Sequence, residues 1–133
     1  MAHQIIKNVK IAGFATCVPK DVEENLDLNF FKEGEAEKVI ASTGIERRRI
    51  VSKGVTAGDL CTKAAEDLIA GLKWDKDEID CLIFVSQTPD YILPSTSCII
   101  QYKLGLPISC SCFDISYGCS GWVYGMRVMS AIL

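Results

Sequence analysis

Between Phe113 and Met126 the chain runs Phe-Asp-Ile-Ser-Tyr-Gly-Cys-Ser-Gly-Trp-Val-Tyr-Gly-Met, and this stretch restricts the possible folds more than any other. Cys110 to Ile115 reads as a short strand with Phe113 and Ile115 on one face, and Ser120 to Leu133 is apolar with Arg127 as its one charge. The pattern predicts a strand end, a sharp turn and a helix, with Cys119 at the handover. A thiol at such a place meets the unpaired amides and positive dipole end of the helix, which favour thiolate over thiol and make cysteine nucleophiles. The same residue is compatible with one more small hydrophobe in a cysteine-rich core.

Glycines sharpen the pattern. Gly118 admits a turn that a side chain obstructs, and Gly121 and Gly125 recur one helical turn apart, which predicts a notch where another helix packs closely. Trp122, Val123, Met126, Val128, Met129, Ile132 and Leu133 make this helix apolar nearly all round. It belongs at the centre of a larger body. As a free polypeptide the chain is expected to self-associate through that surface.

Upstream, Ile5 to Phe14 alternates loosely as a first strand, closed by Gly13 and Pro19. The acidic, polar region from Asp21 to Ile40 reads as one or two short surface helices, with Phe30 and Phe31 as packing anchors. Thr56 to Leu72 is the clearest amphipathic helix: Leu60, Ala64, Leu68 and Leu72 form a stripe that Cys61, Ala65 and Ile69 widen. Ile79 to Ser86 is a nearly continuous apolar strand of the kind covered on both faces in a parallel sheet. Gln87 to Leu93 forms a loop, and Pro94 opens a helix that Gly105 stops after Leu104. Strands alternating with helices predict a layered α/β fold.

With 133 residues and a net charge of −3, the chain lacks the basic footprint of a nucleic-acid binder. No apolar run approaches the ~20 residues that span a bilayer, and no charged N-terminus leads into an apolar signal region. A cytoplasmic protein with no membrane partner follows. Seven cysteines scattered through apolar segments predict reduced core thiols rather than disulfides. Cys110 and Cys112 share a strand face, but two cysteines without a second ligand pair do not make a metal site, and none is expected.

The run from Asp114 to Gly125 resembles the nucleophile segment of the thiolase superfamily, most closely that of beta-ketoacyl-acyl-carrier-protein synthase III. Three upstream blocks agree in order: Ile11 to Pro19, Ser42 to Arg48, and Leu93 to Cys98. The resemblance implies a thiolase-like α/β fold, the N-terminal part of the first half-domain, layered with a mixed sheet and a buried nucleophile helix. Residues 1–133 are then an incomplete N-terminal domain that ends within that helix. It also implies that Cys119 takes an acyl group as a thioester, and that the partner histidine and asparagine come from a second half. The only histidine, His3, lies at the N-terminus outside any apolar pattern and is expected to be an exposed terminal residue.

Other roles follow from the same resemblance. Arg47 and Arg48, within the Glu46-Arg47-Arg48-Arg49 run, border the mouth of a tunnel for coenzyme A, whose phosphates they can meet; surface ion pairs with the acidic segment explain them as well. Leu93 forms the floor of a homodimer partner's acyl pocket, with Thr88 and Tyr91 as lesser wall residues; Leu93 also reads as a core leucine. No resident cofactor is implied, since coenzyme A thioester is substrate; the partners implied are an acyl-CoA and malonyl-acyl-carrier protein. One departure is Lys38, which stands near where that pattern often has a tryptophan stacked on adenine. It keeps open a related thiolase-fold acyltransferase or hydroxymethylglutaryl-CoA synthase-like enzyme, and a non-catalytic interaction module.

Overall fold

In order, the elements are strand β1 (Asp21–Glu24), a single 3₁₀ turn (Asn25–Asp27), helix α1 (Glu35–Thr43), strand β2 (Arg47–Ile50) and helix α2 (Ala57–Leu72). A second 3₁₀ turn (Lys76–Glu78), strand β3 (Cys81–Val85), helix α3 (Thr96–Leu104), strand β4 (Ser111–Ile115) and helix α4 (Gly121–Ile132) follow. This is a computed structural model, and it describes residues 5–132. His3 lies outside the described residues. The chain divides into two compact units: residues up to Cys17 together with those from Ala57 onward, and the segment Val18–Thr56 between them.

In the first unit β3 and β4 pair in parallel, Leu82 opposite Cys112 and Phe84 opposite Asp114. A period of two side chains puts Leu82, Phe84, Cys112 and Asp114 on one face and Ile83, Val85, Phe113 and Ile115 on the other. The first face meets α2 and α3 in the core: Ile69, Phe84, Ile100, Leu104, Leu106 and Cys110 are buried together, with Ala65, Ile79, Leu82 and Cys112 packed around them. Gln101 holds the return loop by donating from Nε2 to the carbonyls of Pro107 (2.8 Å) and Cys110 (3.1 Å). All seven cysteines are free thiols. Burial, followed by the neighbouring Cys110, pushes the Cys112 thiol up to about 12, and burial also raises Cys110 and Cys81.

Several expectations need correction. Ile5 to Phe14 forms no strand, because among the described residues nothing hydrogen-bonds alongside it; Val9 and Ile11 instead line an apolar cavity of about 540 Å³ with Ile83, Val85, Trp122 and Met126. On α2 Ile69 and Ala65 reach the core as the stripe implies and Leu60, Ala64, Leu68 and Leu72 are half-buried, but Gly58 and Thr62 are buried beside them and Cys61 is exposed. Thr62 is accommodated there because its hydroxyl donates to the Gly58 carbonyl at 2.7 Å.

The notch on α4 receives a strand, not a helix. A Cβ at Gly121 would lie 2.6 Å from Val85 Cγ1, and one at Gly125 would lie 3.0 Å from Val85 Cγ2. The two glycines therefore straddle one valine of β3. Away from that contact Trp122, Val123, Tyr124 and Ile132 of α4 are exposed.

In the second unit β1 and β2 form an antiparallel ladder, Glu23 opposite Arg48 and Glu24 opposite Arg47. The polar composition of Asp21 to Glu24 concealed this strand. Asn25, though polar, is buried because it stitches the turn to the start of β2: its amide donates to Glu46 O (2.8 Å) and its Nδ2 to Ile45 O (2.7 Å). Gly44 ends α1 in the left-handed region at φ 70°, its amide bonded to Ile40 O. Phe30 is exposed and stacks on Phe31, centroids 4.5 Å apart, so it is not the anchor expected.

The α4 contact makes a quantitative prediction. Gly121→Ala should lower stability by about 1–3 kcal/mol through overpacking, despite the better helix propensity of alanine. Adding Val85→Ala should recover much of that loss, read as the urea midpoint in a double-mutant cycle.

Candidate active site

Ligands of parallel α/β sheets gather outside the carboxyl ends of the strands. Here those ends are Val85 and Ile115, and the two loops that leave them are 86–95 and 116–120. Cys119 lies in the second loop, two residues before α4, and is exposed. The turn is closed by Gly121 N–H donating to Gly118 O at 2.7 Å, and the helix begins with Tyr124 N–H donating to Ser120 O at 3.2 Å. Tyr117 and Tyr124 pack ring on ring across it, centroids 4.7 Å apart. Gly118 lies close to the Gln87 carboxamide: a Cβ would stand 2.9 Å from Gln87 Nε2, so the flexible glutamine would have to give way.

What fixes both loops is a set of buried polar contacts around Asp114. Its two carboxylate oxygens accept the amides of Thr96 and Ser97, each at 2.8 Å, capping α3 from the neighbouring strand. Thr96 and Ser97 are 0% exposed. Thr96 Oγ1 in turn accepts the Asp90 amide at 3.1 Å, and Asp90 Oδ1 accepts the Gly58 amide at 3.1 Å, which ties the loop to the start of α2. A Cβ at Gly58 would collide with Asp90, so the glycine is part of the same arrangement. The sequence reading missed Asp114 and Asp90. The available signal was a lone aspartate on an apolar strand, which needs partners to be buried.

The other site residues separate into two groups. Thr88 and Leu93 belong to the loop after β3. Thr88 is exposed and its amide donates to Ser86 Oγ at 3.0 Å. Leu93 is 83% exposed, which overturns its reading as a core leucine; Tyr91 and Ile92 beside it are exposed as well. A second cavity of about 420 Å³ opens here, lined among others by Phe84, Ser86, Tyr91, Ile92, Asp114 and Ser116. Arg47 and Arg48 belong to β2 in the other unit. Arg48 pairs with Glu23 at 2.8 Å, as the ion-pair reading has it, and Arg49 donates to Pro19 O at 2.9 Å. Among the described residues no group of three or more His, Cys, Asp or Glu is placed to hold a metal ion.

Comparison with known proteins follows the same outline. A beta-ketoacyl-[acyl-carrier-protein] synthase III of Koribacter versatilis is 36% identical over 121 residues, 91% of this chain and 36% of the relative. That of Nitratidesulfovibrio vulgaris is 36% identical over 93% of this chain and 37% of its own length. The chain is a thiolase-superfamily sequence of the beta-ketoacyl-acyl-carrier-protein synthase III type. It spans little more than a third of the curated relatives it matches. The fold agrees: the 3-oxoacyl-(acyl-carrier protein) synthase of Burkholderia xenovorans superposes with a TM-score of 0.82 at 41% identity, over 90% of this chain and 35% of that one. Cerulenin-bound OleA of Xanthomonas campestris superposes at 0.86 and 27% identity, over 96% and 39%. No protein-family model matches the chain.

Asp114→Ala should cost about 1–3 kcal/mol, because two buried amides lose their acceptor. Hydrogen exchange at Thr96 and Ser97 should accelerate with it. Unchanged protection at those two amides would remove Asp114 from this role.

Proposed function

We propose that the chain carries the nucleophile of an acyl-transferring condensing enzyme, and that Cys119 is that nucleophile. The observation that carries the reading is an exposed cysteine in the tight turn between a parallel strand and an apolar helix, within a chain whose relatives are named beta-ketoacyl-acyl-carrier-protein synthase III. The sulfur of Cys119 attacks the carbonyl carbon of an acyl-CoA; the new S–C bond forms, the coenzyme A thiolate departs with its electron pair, and an acyl-enzyme thioester remains. Amides at the entrance of α4, that of Cys119 included, stabilise the oxyanion of the intermediate.

In the proposed second stage, malonyl-acyl-carrier protein loses carbon dioxide, the resulting carbanion attacks the acyl-enzyme carbonyl to form a carbon–carbon bond, and the S–C bond breaks so that Cys119 departs as thiolate. That stage needs the histidine and asparagine of a second half, so residues 1–133 alone are proposed to be inactive in condensation. On this reading Arg47 and Arg48 face coenzyme A, and Leu93 and Thr88 shape an acyl pocket across a homodimer. The exposure of Leu93 on an apolar loop supports a covering partner. The proposed setting is the cytoplasm; among the described residues no helix is long and apolar enough to cross a membrane. Lys38, in place of an adenine-stacking tryptophan, favours as a second reading a thiolase-fold acyltransferase with a different primer.

Incubation with an acyl-CoA should add the mass of one acyl group to the protein, mapped to the Cys119 peptide. Cys119→Ala should take up none. Label retained in that variant would show the assignment to be wrong.

A further inference from the structure

Gln87 is the first residue beyond Ser86 on the loop leaving β3, and its carboxamide lies against the α-carbon of Gly118, the residue before Cys119. Gln87 is exposed, and among the described residues its side chain has no hydrogen-bond partner, so one acceptor and two donors are open to water beside the turn that carries Cys119. The surroundings are polar at the same level. Ser86 and Ser116, one residue before Gln87 and two before Gly118, both line the 420 Å³ cavity at the strand ends, whose other walls include Phe84, Tyr91, Ile92 and Phe113. The hydroxyl of Ser86 also receives the Thr88 amide.

A plain alkyl acyl group entering beside Gln87 would strip water from the carboxamide and return no hydrogen bond, which is unfavourable. An acyl group with an oxygen a few atoms from its carbonyl would replace that water. We propose that Gln87 is a specificity-determining residue, whose carboxamide hydrogen-bonds an oxygen-bearing acyl group as it is transferred to Cys119. This rests on the acyl-transfer role of Cys119 proposed above. The chemistry of the thioester exchange is unchanged; only the choice of acyl group depends on Gln87.

The test compares 3-hydroxybutyryl-CoA with butyryl-CoA, following the initial rate of thioester formation at Cys119 by mass spectrometry. The wild-type protein should take the hydroxylated group roughly five- to tenfold faster, the effect of one net hydrogen bond. Gln87→Met, similar in size and apolar, should bring the ratio to about one. Iodoacetamide should modify Cys119 at the same rate in both proteins, which separates loss of selectivity from loss of fold; Gln87→Leu provides a second variant if the first fails this control. Equal wild-type rates for the two thioesters overturn the proposal, as does a preference that survives in a variant passing the control. If neither thioester acylates Cys119 while iodoacetamide still does, the acyl-transfer reading itself fails and this proposal falls with it.

Discussion

The carboxylate of Asp114 sits at the junction of everything that shapes the candidate site. By receiving the first two amides of α3 it joins the end of β4, which leads to Cys119, to the helix that follows the Leu93 loop. Neutral groups would satisfy those amides less well, because a charged acceptor at a helix start adds the dipole term to the hydrogen bonds. Thr96 and Asp90 then extend the same set of contacts to α2, so three segments distant in sequence share one fixed point. The turn that carries Cys119 thus follows a strand fixed by buried polar contacts as much as by the oily core.

The opposite face of the sheet is built differently. Val85 enters between Gly121 and Gly125, and α4 can approach β3 only because neither glycine has a Cβ. Beyond that seam Trp122, Val123, Tyr124 and Ile132 of a strongly apolar helix are exposed, and a cavity beside it is lined by Ile6, Val9, Ile11 and Met129. An apolar surface of this extent is what a soluble protein covers with another part of itself or with a partner.

Much of this was legible in the residues. The strand before Cys119, the helix after it, α2 and α3 all lie within a residue or two of where periodicity and caps put them, because each has the local pattern its geometry demands. What failed was whatever depends on neighbours. Ile5 to Phe14 has a strand's alternation but no adjacent ladder, and Asp21 to Glu24 has a polar composition yet pairs with the equally polar Arg47 to Ile50. Thr62 is buried on α2 because its hydroxyl bonds to its own helix backbone, which hydrophobic patterning cannot register. Within the site, Cys119 stood out through its turn, while Asp114 and Gln87 acquire meaning only from residues 17 to 31 positions away.

The segment from Val18 to Thr56 leaves the first unit and returns to it, closing its own ladder and its own Asn25 stitch on the way. An excursion of that kind is a self-contained cassette. Its polar strand and its buried asparagine find their partners inside the segment itself.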